Sequence, residues 1–162
     1  MMDLYVMRHG EALSKQEVGV ATDEERLLSP RGVEDVLRVA RQWERLDYRP
    51  DRILTSPLAR ARQTAELIAK RLQCEDRLEA LTALHPEQDP PSFLTALPRF
   101  KEARLIVAVS HQPLLGQLIT QLAFGRPLDG VGLKPAGVAW LRLPDFPRST
   151  EGLLMGLWNP EE

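Results

Sequence analysis

The run Leu105-Ile106-Val107-Ala108-Val109 constrains the fold most strongly, because five consecutive apolar residues leave neither face of a strand suited to water. Strands that are apolar on both faces are typical of parallel sheets covered by helices on both sides. Shorter strand patterns at residues 4–7 and 53–55 each precede a helical pattern, and a helix also follows the run at 105–109. This alternation predicts an α/β fold, a three-layer α/β/α sandwich with a mostly parallel central sheet.

Capping residues and periodicity predict where the other elements lie. Ser29-Pro30 and Ser56-Pro57 each match an N-cap followed by proline at the first helical position, which predicts helices running to about residues 47 and 72. The polar, aperiodic segment 13–28 is interpreted as a loop. The remaining predictions are a strand at 77–81, loops at 85–91 and 125–135, helices at 92–100 and 114–122, and a terminal hairpin of residues 138–143 and 153–158.

Length and composition limit the classes of protein to which the chain can belong. A chain of 162 residues is a usual size for one compact domain, so we expect a single domain over residues 1–162. The net charge of −2 predicts no binding to nucleic acid or to an anionic membrane, so an anion site requires a local cluster of basic groups. The N-terminus lacks the pattern of a signal peptide, and no apolar stretch approaches the ~18 residues of a membrane span.

The single cysteine, Cys74, cannot form a disulfide within the chain. A reducing compartment is therefore expected, and we predict a cytoplasmic location. Catalysis by a cysteine phosphatase would need an arginine six residues later, but position 80 is Ala. We interpret Cys74 as a small apolar group in the core.

Polar residues follow three of the predicted strands at their carboxyl ends. They are Arg8-His9-Gly10, Ser56 with Arg60 soon after it, and Ser110-His111. In a parallel sheet these ends share one edge, which is where such sheets bind ligands. Guanidinium groups and the free N–H groups of helix N-termini both bind phosphate oxygens. The sequence therefore predicts a site for a dianionic phosphoryl group.

Taken together, these motifs resemble the histidine phosphatase superfamily (phosphoglycerate mutase-like, branch 1). Its hallmarks are Arg-His-Gly after the first strand, then Ser-Pro-Leu-x-Arg-Ala-x-Gln-Thr, and a second histidine at the end of a later strand. The chain has all three, in Arg8-His9-Gly10, residues 56–64 and His111, and Leu28-Ser29-Pro30-Arg31-Gly32 is similar to the opening of the family's first helix. The small size leaves little room for an insertion over the site, so the chain looks most like the compact SixA-type phosphohistidine phosphatases of bacteria.

The resemblance implies a phosphoglycerate mutase-like fold and a phosphatase that needs no metal and no cofactor. His9 is expected to attack phosphorus in its neutral form and to become phosphorylated, after which water hydrolyses the phosphohistidine. Arg8, Arg60 and His111 are expected to bind the non-bridging oxygens. Ser56 is a weaker candidate for phosphate binding, because it is interpreted equally well as an N-cap.

No carboxylate stands out as a general acid for the leaving group. Glu87 and Asp89, in the loop at 85–91, and Glu11, beside the first motif, are the candidates. A histidine leaving group has a pKa near ~6.5. An alcohol leaving group has a far higher pKa, roughly that of water at ~15.7. A phosphohistidine substrate therefore needs less help from an acid, which favours it mildly.

Three hypotheses of function remain open. The first is a phosphatase acting on a phosphohistidine-carrying signalling protein, and the second is a phosphomonoesterase acting on a small phosphorylated metabolite, which a deep pocket with a carboxylate near His9 would favour. The third is a phosphate-binding adaptor without catalysis. Under each of them we expect a monomer.

Two further residues are interpreted as non-catalytic. Arg62 lies about 200° around the helix from Arg60, so it is predicted to face solvent. His85 matches no motif and is interpreted as a loop residue. The three histidines lack the close spacing of a zinc site.

Overall fold

The computed structural model of the chain describes residues 1–19 and 22–161. Within these residues one sheet has the strand order β3-β2-β4-β1-β5-β6. The strands are β1 (Met2–Arg8), β2 (Arg52–Thr55), β3 (Leu78–Ala80), β4 (Leu105–Ser110), β5 (Val138–Leu143) and β6 (Leu153–Trp158). The helices are α1 (Lys15–Val18), α2 (Pro30–Arg45), α3 (Ala59–Arg71), α4 (Pro90–Ala96) and α5 (Leu114–Phe124).

The sheet is mostly parallel, as predicted. Strand β4 pairs in parallel with β1 and β2, and β2 pairs in parallel with β3. Strands β5 and β6 form the predicted terminal hairpin, which joins the sheet through antiparallel pairing of β5 with β1. Residues 106–109 of β4 are completely buried, which confirms that the most apolar segment is a central strand.

Helices cover both faces of the sheet and complete the three-layer sandwich. Along β1, Leu4 and Val6 pack into the core under α4 and α5, while Tyr5 and Met7 pack into the core under α2 and α3. This alternation follows from the two-residue period of a strand. None of the helices in the described ranges combines the length and apolarity needed to cross a membrane.

The predicted loop at 13–28 contains two short helical elements, so that prediction is wrong in part. Ser14 caps α1: its Oγ accepts from the backbone N–H of Glu17 at 3.2 Å, and Glu17 Oε1 accepts from the N–H of Ser14 at 3.0 Å. A 3₁₀ turn follows at Asp23–Glu25. Elements of three or four residues are too short to produce a periodic pattern. Residues 20–21 of the predicted loop lie outside the described residues.

Two predicted helix starts also need correction. The second long helix begins at Ala59 with Leu58 at the N-cap, and the Oγ of Ser56 instead accepts from the N–H of Leu58 at 3.2 Å. The helix predicted from residue 92 begins at Pro90, with Asp89 as its N-cap, and 3₁₀ geometry follows at Leu97–Phe100. The predicted cap at Ser29 is confirmed, because its Oγ accepts from the N–H of Gly32 at 3.0 Å.

Two phenylalanines provide a matched test of the core beneath α4 and α5. Phe93 is fully buried, whereas Phe124 at the end of α5 is 65% exposed. We expect Phe93→Ala to lower the free energy of unfolding by about 3–5 kcal/mol, and Phe124→Ala by less than about 1 kcal/mol. Urea denaturation measures both, and equal losses in the two variants would contradict this description of the core.

Candidate active site

The two motif histidines meet at the carboxyl edge of the sheet. Arg8 at the end of β1 is in register with Ser110 at the end of β4, so His9 and His111 leave the sheet side by side. The backbone N–H of His9 donates to the carbonyl of Ser110 at 3.1 Å, which continues the parallel pairing by one residue. The two imidazole rings lie 5.0 Å apart, centre to centre.

The ring of His9 is held by one hydrogen bond on each nitrogen. Its Nδ1 lies 2.7 Å from the carbonyl oxygen of Gly10, so Nδ1 carries the proton and donates. Its Nε2 accepts from Nε of Arg60 at 3.3 Å. The lone pair of Nε2 therefore points towards Arg60, at the side where a phosphoryl group would approach.

Burial keeps His9 neutral. Burial and the positive charges of Arg60, Arg8 and Arg26 together lower the pKa of His9 to about 4, against the opposing hydrogen bond to Gly10. At neutral pH Nε2 therefore carries no proton, and the neutral imidazole is the form that can attack phosphorus.

His111 is oriented by Ser56. Its Nε2 lies 2.8 Å from the Oγ of Ser56, and both side chains are buried. The same Oγ accepts from the N–H of Leu58, and its own proton can be donated to Nε2, in which case the ring proton of His111 lies on Nδ1. Burial, His9 and Arg60 together lower the pKa of His111 to about 3. The predicted contact between Ser56 and phosphate stays a prediction.

Arg60 lies in the first turn of α3 and is almost fully buried. Besides the bond to His9, its Nη1 donates to the backbone carbonyl of Asp23 at 3.0 Å, and its Nη2 lies 3.2 Å from Oδ2 of Asp23. Arg62 is exposed and lies 3.9 Å from Glu66, which confirms that it faces solvent. Of the two arginines in the motif, the structure therefore brings only Arg60 to the histidines.

Two buried nitrogens in the described ranges lack a hydrogen-bond partner, and both belong to predicted site residues. They are Nε of Arg8 and Nδ1 of His111. The guanidinium of Arg8 also donates from Nη1 to the carbonyl of Leu133 at 2.9 Å, which fixes its position. Nε of Arg8 is a donor, and Nδ1 of His111 is a donor when it carries the ring proton, so both can serve an anion that accepts from them.

Close packing of the backbone fixes the loop that carries His9. A Cβ on Gly32 would lie 2.1 Å from the carbonyl oxygen of Glu11, so the start of α2 can approach this loop only with glycine at position 32. The N–H of Gly10 donates to Oγ1 of Thr64 at 3.1 Å, and Oε1 of Gln63 accepts from the N–H of Leu28 at 2.7 Å. The Gln-Thr pair of the second motif thus joins α3 to both neighbouring loops.

Neither His9 nor His111 has a hydrogen bond to any of the three candidate acids in the described part of the chain. Asp89 caps α4, and hydrogen bonds from Ser92 lower its pKa, which keeps it ionised. The carboxylate of Glu11 lies 4.0 Å from Arg31, and Glu87 is exposed. A role as general acid stays a prediction for each of them.

Two site residues have no counterpart in the sequence predictions. Asp23 contacts Arg60 as described, and Arg26 donates from Nε to Oδ1 of Asp23 at 2.8 Å. Asp23 and Arg60 are 37 positions apart in an ion pair that no local pattern encodes. The one available signal was the concentration of charges at residues 23–26.

The site is rich in positive charge and lacks the donor set of a metal site. Arg8, Arg26 and Arg60 all influence the pKa of His9. Among the described residues, no group of three or more His, Cys, Asp or Glu side chains could hold a metal ion. Anion binding is therefore the chemistry that the arrangement supports.

A groove of about 890 Å³ lies elsewhere, between α2 and the end of β6. Its lining includes Trp43, Tyr48, Val138 and Trp158, whereas His9, Arg60 and His111 do not line it. The histidines therefore do not lie at the base of this groove. Cys74 is buried in the core under α2 and α3, as predicted.

Comparison with known proteins agrees with the geometry. The family model of the histidine phosphatase superfamily (branch 1) matches residues 4–85. The phosphohistidine phosphatase SixA of Escherichia coli is 32% identical over 127 residues, which are 76% of each chain. The structure of SixA complexed with tungstate has a TM-score of 0.84 and 25% identity, covering 98% of this chain and 97% of that one. A phosphoserine phosphatase of Entamoeba histolytica in complex with phosphoserine has a TM-score of 0.73 and 17% identity, covering 97% and 96%.

The chain belongs to the histidine phosphatase superfamily, branch 1, and it is similar to SixA in sequence and structure. The shared fold confirms the expected phosphoglycerate mutase-like sandwich. Membership of the family, together with its SixA relatives, makes the chain a phosphatase.

The low pKa values of the two histidines predict a loss of stability in acid. As the pH falls below 6.5, the unfolded chain binds protons at these positions that the native chain does not, so the free energy of unfolding falls, through both histidines down to about pH 4 and through His111 down to about pH 3. In His111→Asn, the loss between pH 7 and pH 4.5 should be smaller by on the order of 2 kcal/mol. Urea denaturation at the two pH values measures this, and equal losses in wild type and variant would contradict the assignment of a buried neutral ring.

Proposed function

We propose that the protein hydrolyses phosphohistidine on a signalling protein, with His9 as the nucleophile. The observation that carries the proposal is the pair of unpartnered buried side-chain nitrogens among the described residues: Nε of Arg8, the residue before His9, and Nδ1 of His111, whose ring lies 5.0 Å from that of His9, centre to centre. A phosphoryl group lying against His9 would accept from both. Since the transferring group stays negative throughout, positioning and electrostatic stabilisation supply most of the catalysis.

The reaction has two steps. The lone pair of Nε2 of His9 forms a bond to phosphorus as the N–P bond of the substrate breaks, and the departing imidazole takes a proton from water. The carbonyl of Gly10 stabilises the positive charge on the His9 ring, because it accepts from Nδ1–H. Water then attacks phosphorus, the N–P bond to His9 breaks, and phosphate leaves as the proton passes to solvent.

The choice of phosphohistidine over a phosphate ester rests on the leaving group. In the described residues none of Glu11, Glu87 and Asp89 makes a hydrogen bond to the ring of His9 or His111, and an alkoxide would need such an acid more than an imidazole with a pKa near ~6.5 does. The SixA relatives, named for phosphohistidine phosphatase activity, support the same choice.

The alternative is a phosphomonoesterase acting on a small phosphorylated metabolite. It is supported by the structural relative that binds phosphoserine, although at 17% identity that likeness concerns the fold alone. A phosphate-binding adaptor without catalysis is a second alternative. Against it stand the lowered pKa of His9, which keeps the ring neutral, and the hydrogen bond to Gly10, which fixes the proton on Nδ1. An adaptor has no need of a nucleophile.

Replacing the nucleophile tests the proposal. We expect His9→Ala to lower hydrolysis of a phosphohistidine protein at least about a thousandfold, because the bond to phosphorus cannot form. Release of phosphate is measured from a phosphohistidine protein and from p-nitrophenyl phosphate, with wild type and variant. Activity retained in His9→Ala excludes this nucleophile, and a higher kcat/KM for the ester in wild type favours the phosphomonoesterase.

The candidate acids give a second, independent test. Because an imidazole leaving group needs little protonation, Glu11→Gln, Glu87→Gln and Asp89→Asn should each change kcat/KM for the phosphohistidine protein by less than about threefold. Steady-state kinetics on both substrates measures this. A loss of tenfold or more in one variant, on the ester, would identify a general acid and support the phosphomonoesterase instead.

A further inference from the structure

All three guanidinium nitrogens of Arg60 make contacts within the protein. Its Nε donates to the nucleophilic Nε2 of His9, its Nη1 donates to the backbone carbonyl of Asp23, and its Nη2 pairs with the carboxylate of Asp23. These contacts use three of the five N–H groups of the guanidinium. A phosphoryl group bonded to Nε2 of His9 would replace the contact from Nε, and it would share Arg60 with the carboxylate of Asp23.

Asp23 bridges two arginines with its two carboxylate oxygens. Oδ2 lies 3.2 Å from Nη2 of Arg60, and Oδ1 accepts from Nε of Arg26 at 2.8 Å. Two oxygens of a phosphoryl group can make the same contacts, because carboxylates and phosphates both accept from guanidinium groups in a fork. Burial opposes ionisation of Asp23, but Arg60 and Arg26 outweigh it and hold its pKa below the ordinary value.

The two partners differ in their freedom to move. The side chain of Arg60 is only 7% exposed, whereas that of Asp23 is 49% exposed and belongs to a 3₁₀ turn of three residues. An incoming anion can therefore displace the carboxylate into solvent while Arg60 stays in place.

We propose that Asp23 competes with phosphate for Arg60. The proposal rests on the proposed function, in which Arg60 binds the phosphoryl group. An anion that binds to Arg60 either displaces the carboxylate of Asp23 or lies close to its negative charge, and both weaken its binding. In the product complex this competition favours the release of phosphate.

Removing the charge of Asp23 tests the competition. Asp23→Asn keeps the volume of the side chain and the backbone carbonyl that Arg60 contacts, but it has no negative charge. We expect the variant to bind inorganic phosphate about tenfold more tightly than wild type, because one repulsive charge near the dianion is lost. Isothermal titration calorimetry with inorganic phosphate at pH 7 measures the dissociation constants. Loss of a merely structural contact would not tighten binding.

Glu25→Gln is the matched control, because Glu25 lies in the same turn and is exposed. Glu25→Gln also removes one negative charge, and the dissociation constant of this variant for phosphate should stay within about twofold of the wild-type value. The proposal is overturned if Asp23→Asn binds phosphate no more tightly than wild type, or if Glu25→Gln tightens binding equally. The titration measures phosphate binding and requires no turnover. Activity retained in His9→Ala would therefore refute the proposed function, whereas the competition between Asp23 and phosphate is decided by the dissociation constants alone.

Discussion

The parallel pairing of β1 with β4 is the constraint on which the site depends. It sets Arg8 beside Ser110, and the residues that follow them are the two histidines. Pairing of β2 with β4 then brings Ser56 to the same edge, where it holds the ring of His111. A shift of either strand by one residue would turn these side chains to the opposite face of the sheet. The hydrogen bonds of a buried sheet thus act as the positioning device for a cluster drawn from distant parts of the chain.

Burial and positive charge act together on His9. Desolvation alone favours a neutral ring, and the nearby arginines strengthen the preference, so the nucleophile stays unprotonated where a solvated histidine would be partly charged. The same arginines attract the phosphoryl group. Asp23 offsets part of that attraction, since it pairs with Arg60 and Arg26. The guanidinium group of Arg60 therefore links the nucleophile His9, the proposed phosphate site and the competing carboxylate of Asp23.

Much of the fold was predictable because it rests on local patterns. The apolar run at 105–109 predicted the central strand, Ser29 predicted the start of α2, and the position of Arg60 relative to Arg62 followed from helical geometry. The contact of Ser56 with His111 was missed because its Ser-Pro pair has the same pattern as a true N-cap. Asp23 was missed because its partner Arg60 is distant in sequence, and the short elements around it leave no periodic signal.

The central claim is that His9 is a neutral imidazole with its proton on Nδ1 and an unprotonated Nε2. Nitrogen-15 NMR of the protein labelled at histidine measures tautomer and protonation directly, and the signals of His9 are those lost in His9→Ala. We predict a neutral ring protonated at Nδ1 that stays neutral from pH 7 down to about pH 5, given a pKa of about 4. A proton on Nε2, or protonation with a midpoint near 6.5, would contradict the account.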